Sequence, residues 1–264
     1  MPGHFGNGSP TIHTVRIDDA YTTVVREQGT GPPIVLIHGT PLDARAWDGL
    51  IPLLAPARHV VAYDLRGHGS AAGTPTATQE ALAHDLSKLL DALAIERVHV
   101  LGHSFGGQVA QCFALAYPGR VVELTLVCTR ASPFPAFSAA AAELERSGAT
   151  GDPEPVLSRW FDPQTLAQNP PATQYARSCI RSIDPHVWAF ALRSIAGFDV
   201  LEKLHDLIGP AKVIAADHDA VAEPEHMEEI AGRIHGAEFH VLAGAWHMVP
   251  LQSPERVAHI LASA

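Results

Sequence analysis

Ser104 stands in the run Gly102-His103-Ser104-Phe105-Gly106-Gly107, directly after a β-branched stretch at residues 98–101 and directly before a helical pattern over 105–117. Small residues two before and two after the serine permit a strained strand-to-helix turn. Such a turn lifts the hydroxyl above a sheet, and the helix that follows aims its N-terminal amides at it. A serine hydroxyl is a poor nucleophile at neutral pH unless a base takes its proton, and that base needs a third group to hold its tautomer. His247, in Gly244-Ala245-Trp246-His247-Met248, follows the last strand pattern and precedes the last helix pattern, where a loop over the C-terminal edge of a sheet would fall. The acid belongs after the preceding strand pattern, residues 212–215, and two carboxylates stand there, Asp217 and Asp219. Attack on a carbonyl also calls for hydrogen-bond donors at the developing oxyanion. The N–H of Phe105 is one. The loop His38-Gly39-Thr40-Pro41-Leu42 is the source of the second, with the Thr40 N–H chosen, its hydroxyl as an extra contact, and His38 as a brace of the loop or a substrate contact.

These residues need a frame that brings loops far apart in sequence to one edge. Short β-branched runs recur at 11–17, 22–26, 34–37, 60–63, 98–101, 124–128, 212–215 and 238–242. From the third onward they are continuously apolar, as strands buried on both faces of a largely parallel sheet would be. Helical patterns at 44–54, 79–93, 105–117, 224–234 and 254–261 lie between them; in the second, Leu82, Leu86, Leu89, Leu90 and Leu93 fall three and four apart. Alternation of this kind predicts an α/β sheet with right-handed crossovers, preceded by an antiparallel hairpin. The alternation stops over residues 131–207, which carry no clear strand, many prolines, and the helix starts Asp162-Pro163 and Asp184-Pro185. A helical insertion is expected there, and insertions of that length are usually functional.

Composition narrows the function classes. The 264 residues carry Lys+Arg 18 against Asp+Glu 28, a net charge of -10, so a polyanion is a poor partner and nucleic acid is set aside. Cys112, Cys128 and Cys179 lie far apart, which disfavours a disulfide framework or a zinc cluster and fits a reducing compartment. Residues 1–10 are polar and Gly-rich, and no apolar run approaches the roughly 18 to 20 residues of a membrane helix, so a cytoplasmic protein without membrane association is expected. No metal or organic cofactor is called for.

Over nearly its whole length the chain resembles the α/β-hydrolase fold superfamily. The resemblance rests on His38-Gly39-Thr40-Pro41 with Trp47, on Asp64-Leu65-Arg66-Gly67-His68-Gly69-Ser70, on the serine turn and on Gly244-Ala245-Trp246-His247. Within the superfamily it is most similar to 3-oxoadipate enol-lactonases, small esterases and cofactor-free haloperoxidases or perhydrolases. The resemblance implies a mostly parallel eight-stranded sheet flanked by helices, with a core over 1–130 and 208–264 and a helical cap over 131–207, after the sixth strand. It implies the chain order Ser104, Asp219, His247. Asp219 is favoured because hydrolases place the acid a few residues before a proline, here Pro224, with Asp217 the alternative. It assigns a structural role to 64–70. Ser104 stands where haloalkane dehalogenases and epoxide hydrolases carry Asp. The quinaldine dioxygenases place their acid after the sixth strand, where this chain reads Cys128-Thr129-Arg130. Cys128 is read as a packing residue at a strand end.

The expected activity is hydrolysis of a small carboxylic ester or lactone through an acyl-enzyme, by a monomer or homodimer. Alternatives are perhydrolysis or haloperoxidation on the same acyl-enzyme, carbon–carbon bond hydrolysis, and a non-enzymatic ligand receptor. Substrate choice is expected to lie in the cap. Its aromatics Phe134, Phe137, Trp160, Tyr175 and Trp188 are read first as its core, with Phe134, Trp160, Trp188, His38 and Trp246 as candidate substrate contacts. If one of Arg159, Arg177, Arg181 or Arg193 points inward, an anionic substrate follows.

Overall fold

The structure, a computed structural model, describes residues 9–72 and 76–262. Residues 1–8 and 263–264, the outer ends of the expected core, lie outside the described residues, as does most of the polar N-terminal stretch. The chain opens with β1 (Thr11–Arg16), β2 (Thr22–Gln28) and β3 (Pro33–Ile37). A short 3-10 turn (Ala44–Trp47) and α1 (Ile51–Leu54) lead to β4 (His59–Tyr63), α2 (Gln79–Ala92), β5 (Val98–His103), α3 (Phe105–Ala116) and β6 (Val121–Val127). Helices α4 (Ala136–Ser147), α5 (Glu154–Trp160), α6 (Pro163–Gln168), α7 (Pro171–Ser182) and α8 (Pro185–Gly197) follow. The chain then re-enters the sheet through β7 (Ala211–Ala216), α9 (Pro224–Arg233), β8 (Glu238–Leu242), α10 (Val249–Gln252) and α11 (Pro254–Ala262).

The eight strands form one sheet in the order β1-β2-β4-β3-β5-β6-β7-β8. β1 and β2 pair antiparallel, as do β2 and β4, and every later pair is parallel. Parallel strands all end at the same edge, so the loops after β3, β5, β6, β7 and β8 meet there. Side chains alternate across the sheet. Val35 and Ile37 face a layer with Leu86, Val109 and Phe113, whereas Ile34 and Leu36 face Trp47, Leu50 and Val257. Burying one such Leu or Ile side chain contributes about 1.5–3 kcal/mol, which is why continuously apolar strands settle in the middle of a two-sided sheet.

Two expectations are corrected. The helical pattern over 44–54 is two short pieces, because the chain turns at Gly49 and Pro52 has no N–H to extend a ladder backwards. β8 is an edge strand with Val241 50% exposed, so it is not buried on both faces. The Asp-Pro starts behave as expected: the Asp162 carboxylate accepts from the Thr165 N–H and that of Asp184 from the His186 N–H, capping α6 and α8. The entry and exit of the helical segment are tied together, with Val200 N–H donating to the Ala131 carbonyl at 2.8 Å and Phe134 N–H to the Ala196 carbonyl at 3.1 Å. Among the described residues no helix is long and apolar enough to cross a membrane.

Candidate active site

Ser104 sits between the end of β5 and the start of α3 with φ 52° and ψ −120°, a conformation that costs a non-glycine residue about 1–3 kcal/mol. Its surroundings hold it there. The Ser104 N–H donates to the Val127 carbonyl at 3.0 Å, and the Thr129 hydroxyl donates to the Ser104 carbonyl at 2.6 Å. Only glycine fits the crossing of strand and helix: a Cβ on Gly106 would lie 2.2 Å from the Ile37 carbonyl oxygen, and one on Gly102 would lie 2.3 Å from that of Gly106. The spacing Gly-x-Ser-x-Gly is therefore a packing requirement of this turn as much as a chemical signature.

His247 follows β8 and reaches back to this turn. Its Nε2 lies 3.0 Å from Ser104 Oγ and its Nδ1 lies 2.7 Å from Asp219 Oδ2. With Nδ1–H donating to the carboxylate, Nε2 is left as the acceptor for the serine proton. Asp219 lies in the loop after β7, 4% exposed, and its other oxygen accepts from the Val221 N–H at 2.7 Å and the Ala222 N–H at 3.0 Å. Burial alone would raise this carboxyl, but the attraction of His247 and these donors outweigh it and hold the group below the usual carboxylate range. Asp217 is used differently. Its carboxylate is exposed and accepts from the Gly244 N–H at 2.8 Å and the Ala245 N–H at 2.9 Å, pinning the turn that leads to His247.

Ser104 and His247 open onto a cavity of about 310 Å³ between the strand ends and the helical segment. Thr40 and Phe105 stand on its wall beside them, with Trp160 and Trp188 above. The Thr40 hydroxyl is taken up by His68: His68 donates from Nδ1 to the Arg66 carbonyl, so its Nε2 accepts from Thr40 at 2.8 Å. Burial, with the neighbouring His38 next, pushes His68 down to about 3, which keeps it neutral and able to accept.

Three candidate contacts lie elsewhere. His38 is fully buried, donating from Nδ1 to the Gly39 carbonyl and accepting at Nε2 from the Leu65 N–H, so it braces the loop and forms no part of the cavity wall. Phe134 packs edge-on against Phe137 and under Arg130, off the wall, while Phe137 itself lines the cavity. Trp246 faces the opposite way from its neighbour His247 and packs against His218. Cys128, buried at the end of β6, does contribute to the wall. Its sulfur and the donor atoms of Asp219 and His247 lie within 4.8 Å of one another. Asp219 and His247 are already bonded to each other, and burial with the adjacent Asp219 charge drives the Cys128 thiol well above its ordinary value, so the cluster holds a hydrogen-bonded pair with a neutral thiol beside it.

Residues 34–260 match the profile of the alpha/beta hydrolase family. The chain belongs to that family. This alpha/beta hydrolase is 27% identical over 255 residues to 3-oxoadipate enol-lactonase 1 of Acinetobacter baylyi, an alignment covering 94% of this chain and 96% of that protein. Among solved structures, a hydrolase from Pseudomonas aeruginosa PA01 superposes with a TM-score of 0.89 at 28% identity, covering 96% of this chain and 97% of its own. A thermophilic esterase from Thermogutta terrifontis superposes with a TM-score of 0.84 at 31% identity, covering 96% and 97%. The hydrolase has one feature that motif reading passed over. His103, inside the serine turn, has its ring 5.1 Å from that of His247 and bonds to the loop carrying it. The signal was the residue itself, a histidine next to Ser104, but nothing in the spacing told which loop it would reach.

Proposed function

We propose that this alpha/beta hydrolase cleaves small carboxylic esters or lactones through an acyl-enzyme. The observation that carries the reading is the unbroken hydrogen-bond chain from Ser104 Oγ through His247 to a buried, ionised Asp219, opening onto a cavity. In the first half-reaction His247 Nε2 takes the proton as Ser104 Oγ bonds to the carbonyl carbon. The amides of Phe105 and Thr40 hold the oxyanion. The tetrahedral adduct collapses as the imidazolium gives its proton to the leaving alkoxide, and Asp219 stabilises that imidazolium throughout. Water then enters, loses a proton to His247 and attacks the acyl carbon; collapse returns the proton to Ser104 and frees the acid. In a lactone the freed alcohol stays tethered to the acyl chain throughout, and this second step releases one hydroxy acid. The similarity to an enol-lactonase and an esterase over nearly the full chain supports the same reading.

The test is intact mass after incubation with a small fluorophosphonate, alongside turnover of short esters. One adduct on the wild-type chain and none on Ser104→Ala, with ester turnover lost in that variant, is the expected result. Ester turnover that survives Ser104→Ala would sink the reading.

A further inference from the structure

A second chain of hydrogen bonds, separate from that of Ser104, His247 and Asp219, also ends on the cavity wall. In α8 the Ser194 hydroxyl donates to Oε1 of Gln79 at the start of α2, and Gln79 Nε2 donates to Oε1 of Gln108 in α3 at 2.8 Å. Ser194 has no other hydrogen-bond partner among the described residues, so its proton goes to Gln79 and sets the direction of both amides. Gln108 is thereby left with its amino group. The residue is 1% exposed and lines the cavity, and its Nε2 has no partner among the described residues. Unlike the indole N–H of Trp188, which is unpaired but sealed off, Nε2 keeps surface on the wall. Gln108 stands one helical turn after Ser104, and helix side chains lean toward the N-terminus, so the amide points back toward Ser104.

Much of the remaining wall is apolar, with Phe137, Leu192 and Ile195 among its residues. A donor buried in such a surface is costly when hydrocarbon covers it and is satisfied when the ligand brings an acceptor. The arginines add no buried charge: Arg130 is bonded to Glu223 at 2.6 Å, Arg159 is on the wall but exposed, Arg177 and Arg193 are bonded to Glu154 and Glu145, and Arg181 is off the wall. A carboxylate beside Gln108 would give up its hydration against an uncharged amide, so an uncharged oxygen is the fitting acceptor.

We infer that Gln108 determines specificity by donating from Nε2 to an uncharged ether or carbonyl oxygen that the substrate carries a few bonds from the scissile carbonyl, so that oxygenated esters and lactones are preferred to hydrocarbon ones. This inference rests on the hydrolytic reading above. The bond from Gln79 keeps the Gln108 oxygen turned away from the cavity, and the bond from Ser194 makes that orientation depend on the helical segment.

The experiment compares esters in pairs of equal chain length, one hydrocarbon and one with an ether oxygen in place of a methylene. On the acyl side these are the methyl esters of butanoate and methoxyacetate, pentanoate and 3-methoxypropanoate, and hexanoate and 4-methoxybutanoate; on the alcohol side, butyl and 2-methoxyethyl acetate. The ether-to-hydrocarbon ratio of kcat/KM is read for wild type, Gln108→Leu and Gln108→Met, and intrinsic reactivity cancels when one pair is compared between enzymes. For at least one pair the ratio is expected to fall about three- to tenfold in both variants, the scale of one neutral hydrogen bond. The hydrocarbon member is turned over as well or better, whereas damage to the fold would slow both members alike. Ratios that agree within twofold between wild type and both variants for every pair overturn the inference. Fluorophosphonate labelling of wild-type Ser104 separates the two readings: an adduct with unchanged ratios overturns this inference alone, and no adduct overturns the hydrolytic reading and this inference with it.

Discussion

The imidazole of His103 donates from Nε2 to the main-chain carbonyl of His247 at 2.9 Å. The residue before Ser104 thus holds the loop that carries His247, so the separation of Ser104 and His247 is set from inside the serine turn. His103 is buried, and burial, followed by the neighbouring His247, pushes it down to about 3, which leaves it neutral with one ring N–H to give. On the far side the Met248 N–H donates to the Trp160 carbonyl at 3.3 Å, so the same loop is tied to the helical segment as well.

His103→Phe keeps a ring but removes this donor. Its kcat is expected to fall roughly ten- to hundredfold with KM little changed, the scale of a small misplacement of a reacting group. His103→Gln, which can donate from nearly the same place, is expected to recover most of the loss. Steady-state kinetics on folded variants decide this, and a His103→Phe enzyme with wild-type kcat would refute it.

Asp219 and Asp217 are two residues apart and are expected to fail differently. Asp219→Asn should lower kcat by about four orders of magnitude, as the equivalent change does in a serine protease triad, with little effect on folding. Asp217→Asn should leave a far more active enzyme that is less stable by about 1 kcal/mol, because its carboxylate serves the Gly244 and Ala245 amides. Paired measurements of kcat and denaturant midpoint separate the two roles; a larger kcat loss in Asp217→Asn would reverse them.

Burial, the largest cause in each case, pushes His68, His99 and His103 down to about 3. In the unfolded chain each takes up a proton near pH 6.5, whereas the folded chain takes none until far lower. Their contribution to stability is therefore complete above about pH 6.5 and is lost as pH falls from there toward 3, at up to about 1.4 kcal/mol per pH unit for each group. Unfolding free energy measured across that range should fall steeply. His99→Gln, at a position remote from the cavity and bonded to the Thr125 hydroxyl, should make the fall shallower. A flat profile between pH 6.5 and 4 would contradict the assignment.

Gly106→Ala places a methyl group against the Ile37 and His38 carbonyls at 2.2 and 2.5 Å, where backbone cannot yield. A loss of about 1–3 kcal/mol or more is expected from equilibrium unfolding, with fluorophosphonate labelling impaired. Gly119→Ala, whose Cβ meets nothing within 4 Å, is expected to be neutral within about 0.5 kcal/mol and serves as the control.

The alternation of apolar strand runs with helical periods was enough to place every strand to within two residues at each end except β6, whose start lies three residues earlier than the run 124–128, because burial on both sheet faces writes itself into local sequence. The run 44–54 misled because helix periodicity does not register a chain turn at Gly49. β8 misled because Glu238 and His240 interrupt its run, and this polar share, the mark of a strand at the sheet edge, was grouped with the continuously apolar runs.

At the site, the serine turn was legible because the turn demands glycines, and the resemblance to hydrolases supplied the order Ser104, Asp219, His247, three side chains the fold brings within hydrogen-bond reach of one another. The choice between Asp217 and Asp219 was a matter of two residues in one loop. Their side chains leave it in different directions, one toward His247 and one toward the Gly244 turn. His38, Phe134 and Trp246 have the residue types of substrate contacts but point into the core, under Arg130 and toward His218. Arg159 is indistinguishable in sequence from Arg177, Arg181 and Arg193. Local sequence specifies what a residue can do and which element it joins; which charges find partners, and which are left facing a cavity, depends on contacts between segments distant in the chain, and only the folded structure brings those together.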